Sequence, residues 1–232
     1  MWLPFTADQF LDVFRQYNVA VRPAQWVLLG LGVVAVVIAA FGRRDSGRWV
    51  SASLAALWLW MSFAYHVAFF AAINRAALYF AAAFTIQAAL FAWTVFRTPA
   101  VSYRPQSTIS IILGAVLFAY ALVAYPALSY ALGHRYPAAP TFGLPCPTTI
   151  FTLGLLVWGG TALPRRVLIV PLLWAVVGTS AAVSLGMVED FGLLVSAIAV
   201  VIWLPLGRRV APNASSPADT TRKKFHPTHP AY

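Results

Sequence analysis

Two histidines, one cysteine and two neighbouring carboxylates, His66, His134, Cys146, Glu189 and Asp190, are the residues of this chain best suited to chemistry. A thiolate with two imidazoles is a donor set for a soft metal such as Cu(I), so His66, His134 and Cys146 are the metal candidates, and haem or copper the possible cofactors. The spacing argues against them. Twelve residues separate His134 from Cys146 and no histidine pair sits at i, i+4, so no cofactor is expected. Joined by Tyr65, Gln87, Tyr125, Arg135, Tyr136 and Thr148, the same groups could instead wall a pocket for an organic or ionic ligand. They could equally serve only to hydrogen-bond a loop to the helices around it.

That loop, Gly133 to Thr149, reads "GHRYPAAPTFGLPCPTT". Its prolines fix φ and remove backbone donors, which makes it a stiff cover and not a slack linker. The cover sits in a chain that is 61% hydrophobic and only 9% charged, far from the roughly 25% charged residues of soluble domains. A membrane protein follows. The net charge of +10 does not point to nucleic acid, because the basic residues stand in small groups between apolar runs, where they set orientation. The opening MWLPFTADQF has neither basic n-region nor apolar core, so no cleaved signal peptide is expected and the chain should be retained whole. With Cys146 alone there is no internal disulfide, CxxC pair or zinc quartet.

Seven uncharged runs approach the length of about 20 residues that crosses a bilayer: 24–41, 49–70, 76–96, 109–132, 149–163, 167–185 and 191–206. In hydrocarbon such runs must be helices, since isolated strands leave backbone groups unpaired. Gly42, Asn74, Pro99, Gly133, Pro164, Gly186 and Gly207 fall in the connections. Before them Thr6 and Gln9 form a capping box, and Phe10, Val13, Phe14 and Tyr17 share one helical face. The expected fold class is therefore all-α. It comprises a short amphipathic interfacial helix (1–22), an integral membrane bundle of seven helices (23–207) and a disordered basic cytoplasmic tail (208–232), in which His226 and His229 are solvated.

Counting Lys and Arg gives the expected sidedness. The side of the first, third and fifth connections plus the tail holds twelve: Arg43, Arg44, Arg48, Arg97, Arg104, Arg165, Arg166, Arg208, Arg209, Arg222, Lys223 and Lys224. The other side holds four, Arg15, Arg22, Arg75 and Arg135, with Asp8, Asp12, Glu189 and Asp190. The C-terminus is then cytoplasmic and the N-terminus outside. The fifth run is only 15 residues, and if it re-enters instead of crossing, the count becomes eleven against five with the N-terminus inside. Seven crossings are preferred because re-entry would export Arg43 to Arg48 together with Arg97 and Arg104.

Polar groups at membrane depth are expensive in lipid and turn inward. Ser51, Ser62 and His66 share a face of the second run with Trp58 and Tyr65; Gln87 and Thr94 share one on the third, in the manner of interhelical hydrogen bonding. The fourth carries Tyr120, Tyr125 and Tyr130, with Pro126 a kink whose freed carbonyl needs a partner. Gly178, Ser180, Ala182 and Ser184 of the sixth allow close helix approach.

The combination "FTADQFLDVFRQYN", "YH" late in the second run, "GHRYPAAPTFGLPCPTTIFT" in the loop and "EDFGLL" opening the last resembles an uncharacterised family of bacterial multi-pass membrane proteins, over roughly Phe5 to Leu206. The resemblance implies a bacterial inner-membrane location and brings no activity, substrate or catalytic residue with it. Phosphate loops, GxSxG and HExxH are absent and no acid lies inside a run, which leans away from an enzyme and from ion-coupled transport. Two readings remain foremost. One is a small-solute permease or ligand-binding protein, its outer-leaflet pocket walled by Tyr65, His66, Gln87 and Tyr125 and roofed by the Gly133–Thr149 loop. The other is a structural, sensor or accessory subunit of an envelope complex without a pocket. The bilayer is the one partner expected outright, with a small molecule or ion as possible ligand.

Overall fold

The computed structural model describes residues 3–210. The expected basic tail, with Arg222, Lys223 and Lys224, lies outside the described residues from 211 onward. Eight helices follow one another: α1 (Ala7–Ala20), α2 (Ala24–Phe41), α3 (Gly47–Ala72), α4 (Ala77–Val95), α5 (Thr108–Ala131), α6 (Pro145–Gly159), α7 (Ile169–Leu185) and α8 (Phe191–Val210). Among the described residues there is no strand, only a single bridge between Phe142 and Leu144. Among the described residues six helices are long and apolar enough to cross a membrane, α2, α3, α4, α5 and, counted with the turns leading into them from Arg165 and Val188, α7 and α8, which marks a membrane-embedded protein.

Of the other two, α1 and α6, the second has a place unlike the rest. Every residue from Pro147 to Gly159 is buried, whereas no more than 44% of any of the six long apolar windows is. It is the axis of the bundle. Its register against α5 is antiparallel: Trp158 Nε1 donates to the Ile111 carbonyl at 3.3 Å, and Phe151 packs on Phe118 with ring centroids 5.3 Å apart. Gln106 Nε2, just ahead of α5, donates to the Gly159 carbonyl at 3.1 Å. The helix thus runs from the level of Asp190 to the level of Gln106 without folding back. Its 15 residues rise about 22 Å, short of the roughly 30 Å hydrocarbon core.

The outer faces of the surrounding helices are apolar and exposed, with Val33, Val37, Ile112, Val116, Leu173, Val176, Val201 and Ile202 among them. The inner faces carry the few polar groups in bonded sets. Ser51 lies 3.0 Å from Tyr103 and 2.8 Å from Thr94; Trp58 Nε1 donates to Thr152 at 3.1 Å; Ser62 donates to the Ala81 carbonyl at 2.7 Å. Burial pushes the Tyr103 phenol up to about 12, so it stays a neutral hydroxyl.

Two of the helices change pitch. Met61–Val67 in α3 and Tyr120–Ala124 in α5 are π-helical, the second directly before Tyr125 and Pro126, whose missing N–H breaks the ordinary ladder. Each π-turn brings a tyrosine, Tyr65 and Tyr125, to the same end of the molecule.

The capping box of α1 forms, Gln9 N meeting Thr6 Oγ1 at 3.3 Å and Thr6 N meeting Gln9 Oε1 at 2.9 Å. Its apolar face is spent on the bundle: Phe10 and Phe14 pack around Phe70 and Tyr65, and Tyr17 meets Tyr65 edge-on at 5.7 Å. At the opposite end of the bundle Arg97 and Arg166 stack on the Trp93 ring at 4.9 and 4.2 Å. The third and fifth basic connections therefore converge there, and Arg43 and Arg104 share a cleft at that end with Tyr103.

Candidate functional site

Between α1, the end of α3, α7 and the Gly133–Thr149 loop lies a cavity of about 210 Å³. The segment from Leu3 to Phe14 forms one wall, and Tyr65, Phe70 and Phe80 form the next. Trp174, Val177 and Ala181 of α7 close the far side, and Pro140, Leu144 and Pro145 form the roof. Val177, half-way along α7, is also exposed on the outside of the bundle, so this wall separates the cavity from the bilayer by a single side-chain layer.

The polar end is built by three elements. Asp190 stands immediately before the last helix, where the positive end of the helix dipole favours a carboxylate. Tyr125 Oη donates to it, and the Cys146 thiol, one residue inside the proline-started α6, sits beside it. Trp174 faces the same thiol, but its indole N–H makes no hydrogen bond of ordinary geometry. Asp190 is 4% exposed and Trp174 9%.

Glu189, the residue before Asp190, is fully buried and turns the other way. His134 Nδ1 lies 2.8 Å from its Oε1, its Oε2 has no partner, and its main-chain carbonyl accepts from Tyr120 Oη at 2.7 Å. The pair ties the head of the loop to the turn between α7 and α8.

Asn18 of α1 holds the rest of the loop. Its Nδ2 donates to the carbonyls of Pro137 and Ala139, both at 2.7 Å, and its Oδ1 accepts from Thr141 Oγ1 at 2.8 Å. Farther along, Thr148 Oγ1 accepts from Gly143 N at 2.9 Å. Gly143 has φ +100°, and a Cβ there would strike Leu28 Cδ1 at 2.5 Å, so only glycine lets the loop lie this close to α2. Burial pushes the nearby Tyr17 phenol up to about 12, against the donation from Trp60 Nε1 at 2.7 Å. Asn18→Ala removes both donations and leaves two loop carbonyls short of a partner. It should cost about 2–3 kcal/mol, read as faster hydrogen exchange of residues 137–143 with the amides of α6 unchanged.

Of the residues expected to act together, Tyr65, Tyr125, Cys146 and Asp190 line the cavity. The others stand elsewhere. His66 is buried one layer behind, its ring 4.7 Å from Phe84 and 5.3 Å from Trp174, with neither nitrogen bonded. Gln87 Nε2 donates to the Val167 carbonyl at 2.9 Å, an interhelical tie deeper in the bundle. Arg135 stacks on Tyr130 at 4.6 Å, and Tyr136, 49% exposed, reaches the Asn18 carbonyl at 3.4 Å. Thr148 is a loop clamp, and His134 with Glu189 a brace. His66, His134 and Cys146 do not gather; among the described residues no group of three or more metal-type side chains forms.

Sequence reasoning missed Asn18 and Trp174. Asn18 closes a helix already explained by its apolar face, so nothing local marked it. Trp174 did leave a signal, since Gly178 one turn on leaves its ring uncovered.

Residues 7–215 match the sequence profile of the family of unknown function DUF6064, and the chain belongs to that family. No curated protein and no solved structure matches the chain.

Proposed function

Starting from that family membership, we propose that the protein is a membrane-embedded binding protein that takes a small, largely apolar ligand into the cavity under the Gly133–Thr149 loop. The cavity itself carries the reading. It is walled by aromatic and aliphatic side chains and has one cluster of polar groups, Asp190, Tyr125 and Cys146, at one end, the usual make-up of a ligand site. A continuous path for a solute has no support: α6 fills the axis, and Ser51, Thr94, Tyr103, Trp58 and Thr152 below the cavity are bonded to each other.

The reading includes a topology of seven crossings with the arginine-rich end in the cytoplasm and the cavity in the outer leaflet. A helix of α6's length can serve as a crossing because it is sheathed by protein and satisfies its backbone without meeting lipid. A bacterial inner membrane is the compartment the sequence resemblance implies.

Cys146 makes the test direct, being the chain's single cysteine and part of the cavity lining. In purified protein in dodecyl maltoside, dodecan-1-ol, dodecylamine and dodecanoate are each added while the rate of maleimide alkylation of Cys146 is followed. At least one probe is expected to slow labelling saturably by tenfold or more. Ala181→Trp, which fills the cavity from its α7 wall, is expected to remove that protection. Labelling untouched by all three probes would end the reading. Impermeant maleimide on intact cells, with a cysteine placed at residue 220 for comparison, checks sidedness by reaching Cys146 and not the tail.

A further inference from the structure

Resting on that binding site, we infer that its ligand is a lipophilic amine: an ammonium group that pairs with Asp190, carried on an alkyl chain lying along the aromatic wall. Asp190 lines the cavity yet is 96% withdrawn from solvent, its relative exposure being 4%. Its neighbours, Tyr125 and Cys146, are neutral donors. Among the described residues the arginine–carboxylate pair is Arg15 with Asp12; His134 is hydrogen-bonded to Glu189, His66 lies behind the wall against Trp174, and no arginine or lysine meets Asp190. A carboxyl group withdrawn from water without a cation tends to hold a proton, and a partner that brings its own positive charge keeps it ionised and gains the pairing.

The walls suit the same ligand. The rings of Tyr65, Phe70, Phe80 and Trp174 border the space next to the carboxylate, and aromatic faces attract ammonium groups most strongly where water is excluded. Trp174 adds an unpartnered, nine-tenths buried N–H at this end, which would take a hydroxyl or carbonyl oxygen close to the amine. Apolar cavities of about 150 Å³ hold a benzene molecule. The 210 Å³ here therefore accepts an amine head and several methylenes, and the remaining chain reaches lipid by displacing the single side-chain layer at Val177. A carboxylate or phosphate headgroup would meet Asp190 with like charge.

The measurement is the dissociation constant of dodecylamine, dodecan-1-ol and dodecanoate for the full chain in dodecyl maltoside, by calorimetry. Dodecylamine is expected to bind at least tenfold more tightly than dodecan-1-ol, and dodecanoate most weakly. Asp190→Asn, an isosteric change that keeps an acceptor for Tyr125, should bring amine and alcohol within about twofold. Should that variant fail to fold, Phe80→Leu in its place, which removes an aromatic face and no hydrogen-bond donor, should lower the amine preference by threefold or more. Equal or tighter binding of the alcohol or the acid by wild type would overturn the amine assignment while leaving the binding site standing, as would an amine preference that survives Asp190→Asn. If none of the three binds, the site reading falls with it. Repeating the titration with added phosphatidylethanolamine separates two sources of the same chemistry: competition assigns the site to a lipid headgroup, undiminished binding to a free amine.

Discussion

Gly154→Leu is expected to destabilise the folded bundle by at least about 3 kcal/mol, the upper end of what overpacking costs. A Cβ at Gly154 would lie 2.6 Å from Phe118 Cε1 and 3.3 Å from the Gly114 carbonyl oxygen. Phe118 has nowhere to go, since it is packed against Phe151 at 5.3 Å and edge-on to Trp158 at 4.9 Å. Gly114, in turn, receives the Trp158 indole on its bare Cα. The crossing of α5 and α6 is thus two glycines facing two large rings, and close packing of this kind is what holds helices together where lipid is as apolar as the side chains. For a chain of this size, 3 kcal/mol corresponds to a fall in Tm of roughly 6–12 °C, measured in detergent by loss of helical signal. Gly30→Leu is the control: a Cβ there meets nothing within 4 Å, and Tm should stay within about 2 °C. An unchanged Tm for Gly154→Leu would mean that α6 is not the packed axis.

The second large effect concerns the brace. His134→Ala leaves the fully buried Glu189 without its one side-chain partner, Oε2 being unbonded already. Leaving a buried hydrogen-bonding group without its partner costs about 1–3 kcal/mol, and more where that group is charged. The double variant His134→Ala/Glu189→Gln should recover at least half of the loss, since a neutral amide is cheaper to leave in place. Thermal unfolding of the four proteins of this cycle is the measurement. Additive losses would show that the two residues do not act as a pair.

The asymmetry between these two sites explains what could be read early. The position of Glu189 and His134 among apolar runs marks both as candidates, but not as a pair, because 55 residues and two helices separate them. Gly154 drew no attention, as glycine inside a short apolar run has no chemistry of its own; its role exists only against Phe118. Gln87 could be recognised as an interhelical donor from its depth, while its acceptor, the Val167 carbonyl, could not. His66 shows the limit most plainly: the rarity of histidine at such depth suggests a ligand-facing role, and the fold surrounds it with Phe80, Phe84 and Trp174 instead.

What the chain alone determined is the all-helical class and the approximate places of the apolar helices and the breaks between them; the fifth run, read as 149–163, is helical instead over Pro145–Gly159. In hydrocarbon each backbone group must bond within its own helix, so length, apolarity and the glycine, proline and asparagine breaks are local quantities. α2, for instance, covers the same residues, 24–41, in the sequence reading and in the fold. Tertiary structure alone decided how each helix is rotated about its axis, that the short α6 is the centre, and that Asp190 turns to the cavity while Glu189 turns to the loop. The physical reason is that a segment apolar all round carries no stripe to mark its inner face. Rotation is then set by the fit of rings against glycines on other helices, which no single segment contains.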